Sequence, residues 1–164
     1  MKLRTLTLAV AMTVTAAISA FAASGLSVRQ VAKFKGSDAG VWEKIGGFCA
    51  IKDWHPAIAN CEISTAAADT FRTLTLKDGG VIKEKLTGQS QTGYTYAIVE
   101  SPLPVKDYFA SFSVKPDGDE PGTVIAVWSS NFMAMGKPDS EAKGVIEGIF
   151  KSGLESISSK YAAK

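Results

Sequence analysis

Hydrophobic and polar positions alternate with a period of two through the middle of the chain, from residue 62 to residue 132. This alternation predicts half-buried β-strands, because successive side chains of a strand point to opposite faces of a sheet. The predicted strands are residues 71–77, 81–87, 94–100, 108–115 and 123–132, with residues 27–34 forming an edge strand before them. Clusters of glycine, proline, aspartate and serine separate the five central strands, so consecutive strands run antiparallel.

Helical spacing predicts two short helices between the edge strand and the central strands. Ser37 or Asp38 can cap the first helix, and Gly46-Gly47 weakens its end. Its apolar face consists of Val41, Trp42, Ile45 and Phe48. The second helix has Pro56 near its first turn, and its apolar positions are Ile51, Trp54, Ile58 and Ala59.

The clearest helix of the chain follows Pro138 and extends to the C-terminal region. Its apolar positions are Ala142, Val145, Ile146, Ile149, Phe150, Leu154, Ile157 and Tyr161. Charged residues occupy the opposite face, so the apolar stripe needs a partner, and the sheet is the only candidate. Gly148 and Gly153 are positions at which this helix can approach the sheet closely. The element order predicts an α+β fold.

Register arithmetic places two charged residues on the inner face of the sheet. A three-residue loop at residues 78–80 pairs Arg72 with Leu86 and Leu74 with Glu84. Arg72 and Glu84 then point inward as diagonal cross-strand neighbours. An isolated buried charge costs several kcal/mol, so each needs the other. Two interpretations stay open: a structural ion pair, or a polar handle for an amphiphilic ligand in a cavity.

Aromatic residues with polar tips share this inner face. Three of them, Tyr96, Tyr108 and Trp128, accompany Arg72 and Glu84. Together these polar groups are more than a solid core usually contains, which favours a hollow sheet closed by the long helix. The candidate ligand-binding residues are Arg72, Glu84, Tyr96, Tyr108, Phe112, Trp128 and Trp54.

The first 22 residues have the pattern of a secretory signal peptide. Lys2 and Arg4 precede an uncharged stretch, and Ala20 and Ala22 occupy the positions that a signal peptidase recognises. The alternative is a membrane anchor. Cleavage after Ala22 leaves a domain of residues 23–164 in the periplasm, with no membrane-spanning segment. The two removed cations account for the formal net charge of +2, so the mature chain is neutral and shows no basic excess for nucleic acid.

Cys49 and Cys61 are the only cysteines, and export places them in an oxidising compartment. A single intramolecular disulfide is the simplest interpretation, and two buried thiols are the alternative. The single histidine, His55, is more easily explained as a surface or mouth-lining residue than as a general base. No nucleophile elbow, phosphate loop, dinucleotide motif or metal-ligand set is present, so no cofactor and no metal are expected.

Several motifs together resemble the SRPBCC superfamily, which includes the START, polyketide-cyclase and birch-pollen-allergen proteins. The motifs are Arg72-Thr73-Leu74, Gly79-Gly80-Val81, Glu84-Lys85-Leu86, Tyr94-Thr95-Tyr96, Pro102-Leu103-Pro104-Val105, Tyr108 and Trp128, together with Trp42, Phe48, Trp54 and Pro56. The resemblance covers residues 27–161 and implies a helix-grip fold. In that fold a curved seven-stranded antiparallel sheet wraps around a long C-terminal helix, with two short helices after strand 1.

This resemblance also implies a deep apolar cavity for a hydrophobic molecule, with no catalytic set common to the group. The chain departs from the usual pattern at Phe71 and in the Cys49/Cys61 pair, so the pocket mouth is expected to differ. Exported relatives that the chain resembles include accessory proteins of periplasmic methanol oxidation.

Three functional hypotheses follow. The first is a monomeric, non-enzymatic periplasmic protein that binds a hydrophobic small molecule. The second is an accessory protein that contacts a periplasmic dehydrogenase or cytochrome, through the surface around residues 102–106. The third is a cyclase or dehydratase with Glu84 as acid/base, its pKa raised by an apolar pocket. The absence of a recognisable catalytic set favours binding over catalysis.

Overall fold

The computed structural model describes residues 25–161 as one antiparallel sheet covered by helices. The elements are β1 (Leu26–Lys35), α1 (Asp38–Ile45), α2 (Ile51–Trp54), β2 (Ile58–Ala66), β3 (Asp69–Leu76), β4 (Val81–Ser90), β5 (Gly93–Glu100), β6 (Val105–Pro116), β7 (Thr123–Ala134) and α3 (Asp139–Tyr161). The strand order is β1-β7-β6-β5-β4-β3-β2. The α+β architecture with seven strands, two short helices and a long C-terminal helix is confirmed. The predicted signal peptide, residues 1–22, lies outside the described residues.

The long helix α3 supplies the second layer of the core. It packs across β1 and β7 and contacts α2. Its predicted apolar stripe is buried at Ala142, Ile146, Phe150, Leu154 and Ile157. Fully burying an Ile, Leu or Phe side chain contributes about 1.5–3 kcal/mol, so the four larger residues of the stripe fix the helix on the sheet. Within residues 25–161, no helix is long and apolar enough to cross a membrane.

Two glycines of α3 behave differently. A Cβ atom at Gly153 would lie 2.7 Å from the His55 ring, 2.9 Å from Trp128 and 3.1 Å from Trp54. Gly148 faces open space. The predicted close approach of helix and sheet therefore occurs at Gly153, and Gly148 plays no part in it.

The short helices differ in part from the prediction. Ser37 caps α1, its Oγ accepting a hydrogen bond from the Gly40 N–H at 3.2 Å. The helix ends at Ile45, before Phe48. The predicted second helix is wrong in its second half, because α2 ends at Trp54 and Ile58 begins the edge strand β2. Pro56 follows the helix and lies in the connection to β2.

The β3–β4 hairpin has a longer loop than predicted. Leu74 pairs with Ile82 and Arg72 with Glu84, because residues 77–80 form the turn. Gly79 adopts a positive φ of 90° there, and the Asp78 carboxylate accepts a hydrogen bond from the Gly80 N–H. The predicted register is wrong by two residues. A shift of two leaves every side chain on its predicted face, so Arg72 and Glu84 still point inward.

Candidate functional site

Arg72 and Glu84 form a buried ion pair at the centre of the inner sheet face. Arg72 is 0% exposed and Glu84 5% exposed. The Arg72 Nε donates a hydrogen bond to Glu84 Oε2 at 2.5 Å. They are directly opposite each other on β3 and β4, rather than diagonal. The structure therefore satisfies the requirement that each inward charge has an opposite partner.

Aromatic rings surround the Arg72 guanidinium. Its Cζ lies 4.3 Å from the centre of the Phe48 ring, 4.9 Å from that of Tyr96 and 5.6 Å from that of Tyr94. Nη1 donates to the Phe48 carbonyl oxygen at 2.5 Å and to the Tyr94 hydroxyl at 3.3 Å. Attraction between the cation and the electron-rich ring faces compensates for part of the lost hydration of Arg72.

The segment that covers Arg72 is held by the predicted disulfide. Cys49 directly follows Phe48 and is bonded to Cys61 of β2, with a Cα–Cα distance of 5.6 Å. The bridge attaches the Phe48 ring and carbonyl to the sheet beside the ion pair. Constraining a loop of this length in the unfolded chain contributes about 3 kcal/mol to stability.

The ion pair leaves hydrogen-bonding capacity unused. Among the described residues, the buried Nη2 of Arg72 has no hydrogen-bond partner. The carboxylate engages the guanidinium through Nε alone, without the second parallel bond of a bidentate pair. Burial works against the charge of Arg72, but Glu84 and the neighbouring tyrosines raise its pKa, so it stays protonated. Burial raises the pKa of Glu84, and Arg72 opposes that rise.

A second polar group lies beside the pair. The Trp128 indole N–H donates to the Tyr96 hydroxyl at 2.9 Å. Burial raises the pKa of both Tyr96 and Tyr108. Both hydroxyls therefore stay protonated at physiological pH.

A cavity of about 90 Å³ lies between the inner sheet face and α3. Its apolar wall consists of Ile51, Ala57, Ile58, Leu74, Leu76, Ile82, Ile98, Leu103, Ile146, Ile149 and Phe150. Its polar or aromatic wall residues are Glu84, His55, Tyr96, Tyr108 and Trp128. Among the wall residues, Ala57 is exposed, and Leu76, Ile98, Leu103 and Ile149 are half-buried. The space is smaller than a dry cavity of about 150 Å³ that binds benzene.

Four of the seven candidate ligand-binding residues, Glu84, Tyr96, Tyr108 and Trp128, lie in the cavity wall. Arg72, Phe112 and Trp54 are not among the wall residues. Arg72 lies behind Glu84, and Trp54 and Phe112 stack on each other with ring centres 5.5 Å apart. These three support the wall from behind, and contact between any of the seven and a ligand stays a prediction.

His55 lines the cavity instead of lying on the protein surface. The ring is 4% exposed and joins the α2–β2 connection to α3. Its Nδ1 accepts a hydrogen bond from the Ala57 N–H at 3.2 Å, so Nε2 donates to the Ile149 carbonyl at 3.1 Å. The hydrogen bond from Ala57 requires an unprotonated Nδ1 and therefore the neutral ring, and burial lowers the pKa of His55. The sequence pattern had given no sign of the Ile149 contact, because a backbone carbonyl is not encoded by residue type.

Comparisons with other proteins agree with this architecture. The family model described as "Polyketide cyclase / dehydrase and lipid transport" matches residues 26–161. The search among curated proteins gave no match. Among solved structures, XoxI from Bacillus cereus is 31% identical with a TM-score of 0.76, over 82% of this chain and 94% of that chain.

A putative uncharacterised protein from Bacillus thuringiensis is 30% identical with a TM-score of 0.76, over 83% of this chain and 98% of that one. The Zhui aromatase/cyclase from Streptomyces sp. R1128 has a TM-score of 0.67 at 13% identity, over 84% of this chain and 94% of that one, a likeness in fold alone. The chain therefore belongs to the polyketide cyclase/dehydrase and lipid transport family of the SRPBCC superfamily.

Proposed function

We propose that this protein binds a small, mostly apolar molecule in the cavity between the sheet and α3. The observation that carries the proposal is the cavity itself, an apolar space with a few convergent polar groups, which is the usual composition of a ligand site. Glu84 is the polar group best suited to orient a ligand, because its carboxylate accepts a hydrogen bond while Arg72 balances its charge. The ligand is therefore a neutral molecule with a hydroxyl or N–H group.

The size of the cavity limits the ligand further. Ligand pockets usually enclose about 300–1,000 Å³, and a dry cavity of about 150 Å³ binds benzene. At about 90 Å³, the cavity holds only one end of a larger ligand unless its walls move. The cavity is therefore smaller than the deep cavity that the family resemblance implies, because side chains fill part of the space.

The site of action that we propose is the periplasm, after cleavage following Ala22. The disulfide between Cys49 and Cys61 supports this placement, because such bonds persist in oxidising compartments. N-terminal sequencing of the protein from the periplasm is expected to begin at Ala23. An intact Met1 on the mature protein contradicts cleavage.

The test of binding has two parts. Native mass spectrometry of protein purified from periplasm is expected to show a non-covalent adduct that denaturation removes. Independently, N-phenyl-1-naphthylamine, a neutral apolar fluorophore, is expected to bind saturably. Ile82→Phe, which adds volume to the cavity wall, should weaken that binding by about tenfold, the equivalent of about 1.4 kcal/mol.

Val81→Phe is the matched control, because Val81 is the preceding residue of β4 and is 48% exposed. It should leave the fluorophore affinity unchanged, and both variants must first show cooperative unfolding. Neither adduct nor saturable fluorophore binding in the parent protein would refute the proposal. Equal loss in both variants would place the fluorophore outside the cavity.

A second candidate is an accessory role by protein contact. Val99 and Met135, respectively 56% and 51% exposed, lie near residues 102–106, and adjoining exposed apolar side chains are typical of contact surfaces. The partner that we propose for this role is a periplasmic dehydrogenase or cytochrome. Cross-linking in periplasm through a photoreactive group at position 102 is expected to capture such an enzyme. Capture that also occurs from position 31 on β1 would show non-specific contact.

A further inference from the structure

Strands β5 and β6 separate from each other at the cavity end of the sheet. Their pairing extends from Gly93↔Ser113 to Ala97↔Phe109 and stops there. Beyond that point β5 stays paired with β4, and β6 stays paired with β7. Within the described sheet, the segments 98–100 and 105–108 therefore face each other without ladder hydrogen bonds.

Local sequence causes this separation. Pro104 has no N–H to donate to a ladder, and its carbonyl instead accepts from the Met135 N–H at 2.9 Å, which draws the start of β6 toward the end of β7. A β-bulge lies between Lys106 and Phe109, and within it Asp107 has a positive φ of 51°. A non-glycine residue in this conformation is uncommon and stores strain, so the bulge is a fixed feature of the strand.

The separated segments enclose a crevice of about 340 Å³ on the outer side of the sheet. Val99 and Met135 supply its apolar side, and Glu100, Lys106 and Asp107 its charged rim. Ile98 and Tyr108 line both this crevice and the inner cavity. Only these two residues are common to both spaces. Passage between other neighbouring strands breaks a hydrogen-bonded ladder, whereas here the strands are already apart.

We propose that the β5–β6 crevice is the outer half of the ligand site, and that the ligand enters the cavity between these two strands. The inference rests on the proposed function and names the ligand class more closely. The ligand is an elongated amphiphile whose hydroxyl or N–H group binds Glu84 in the cavity and whose apolar chain extends into the crevice along Val99 and Met135. The crevice adds about 340 Å³ of half-open space to the cavity of about 90 Å³, which alone is smaller than ordinary ligand pockets.

A chain-length series of ligands tests this arrangement. Binding of 1-alcohols from butanol to decanol is measured by titration calorimetry on residues 23–164. Each buried methylene contributes about 0.8 kcal/mol, so affinity should rise roughly fourfold per carbon while the chain gains buried space. The cavity alone is smaller than one of about 150 Å³ that binds benzene, so a rise that continues well beyond four carbons requires the crevice.

Val99→Trp fills the crevice, and Val31→Trp is the matched control on β1, where the valine is 48% exposed. In Val99→Trp, we expect the affinity for 1-alcohols to stop increasing at a short alcohol chain length. The affinity for butanol should be unchanged and that for decanol at least about tenfold weaker. Ile98→Ala widens the shared wall and should speed both association and dissociation of decanol.

The outcomes separate the two proposals. If no alcohol binds and the fluorophore also fails, the proposed function is wrong. If alcohols bind but the parent protein reaches its plateau at about four carbons, or Val99→Trp matches Val31→Trp throughout the series, the crevice is not part of the site while the cavity still binds ligand.

Discussion

Breaking the Arg72–Glu84 pair gives the most direct measure of what the polar centre contributes. Replacing one member of a buried ion pair leaves the other uncompensated and costs about 3–5 kcal/mol. Arg72 is fully buried, and Glu84 is its only carboxylate partner in the described residues. The loss of stability caused by Glu84→Leu should therefore be about 3–5 kcal/mol. With an m-value of about 2 kcal/mol/M, the urea midpoint falls by roughly 2 M, a large part of a typical stability of about 5–15 kcal/mol.

The two single replacements should differ in cost. A guanidinium does not lose its proton in a protein, whereas burial already raises the pKa of Glu84. In Arg72→Met the carboxyl group can be buried in its neutral form, so this variant should lose less stability than Glu84→Leu. A carboxyl group whose pKa is raised in the folded state favours folding at low pH. The deficit of Arg72→Met should therefore shrink as the pH falls from 8 to 5.

The double variant Arg72→Met/Glu84→Leu completes the cycle. Replacing a whole buried pair with apolar residues is often neutral or stabilising, so most of the loss should be recovered. The assay is urea unfolding at 25 °C with the disulfide intact, followed by tryptophan fluorescence and circular dichroism. The reasoning fails if Glu84→Leu costs less than about 1 kcal/mol, or if the double variant is as unstable as the worse single one.

Three further predictions concern His55, two glycines of α3 and the disulfide. Burial lowers the pKa of His55 in the folded protein but not in the unfolded chain, so stability should fall as the pH drops below 6.5. In a His55→Gln variant, the urea midpoint should change less with pH than in the parent protein. Equal slopes of urea midpoint against pH in the two proteins would contradict this prediction. Gly153→Ala should lower the melting temperature, because overcrowding costs about 1–3 kcal/mol of stability. Gly148→Ala, which faces open space, should raise the melting temperature, because alanine adds up to about 1 kcal/mol of helix propensity. Equal effects of the two substitutions would contradict the close packing at Gly153. Replacing both Cys49 and Cys61 with serine should cost about 3 kcal/mol in urea unfolding, and a loss below about 1 kcal/mol would show that the bridge constrains little.

The elements with a two-sided environment were the ones that the sequence predicted best. In β6 and α3, one face contacts the core and the other is largely exposed to water, so residue type alternates with a clear period. The edge strand β2 gave no such signal, because only Ile58 and Cys61 of its nine residues are buried. The prediction of a seventh strand came only from the family resemblance. The helical spacing of Ile51, Trp54 and Ile58 was misleading, since Ile58 reaches the same core from a strand.

The candidate site was predictable in its side chains but not in its dimensions. Inward charge at positions 72 and 84 follows from strand parity, which survives a two-residue error in register. The volume of the cavity depends on how Trp54, Phe112 and Phe150 pack against their neighbours, and no sequence pattern encodes that packing. The separation of β5 and β6 likewise depends on the conformation of Asp107, an aspartate whose positive φ composition does not reveal.

Charge balance inside the cavity decides which ligands it accommodates. Glu84 is neutralised by Arg72, and the hydrogen bond that His55 Nδ1 accepts from the Ala57 N–H requires the uncharged ring. The tyrosine hydroxyls stay protonated, so the wall carries no net charge. A ligand carboxylate placed there would be an unpaired buried charge beside Glu84, which costs several kcal/mol. A fatty acid recovered with the protein must therefore keep its carboxylate outside, and at the rim of the β5–β6 crevice Lys106 is the cation, flanked by the acidic Glu100 and Asp107.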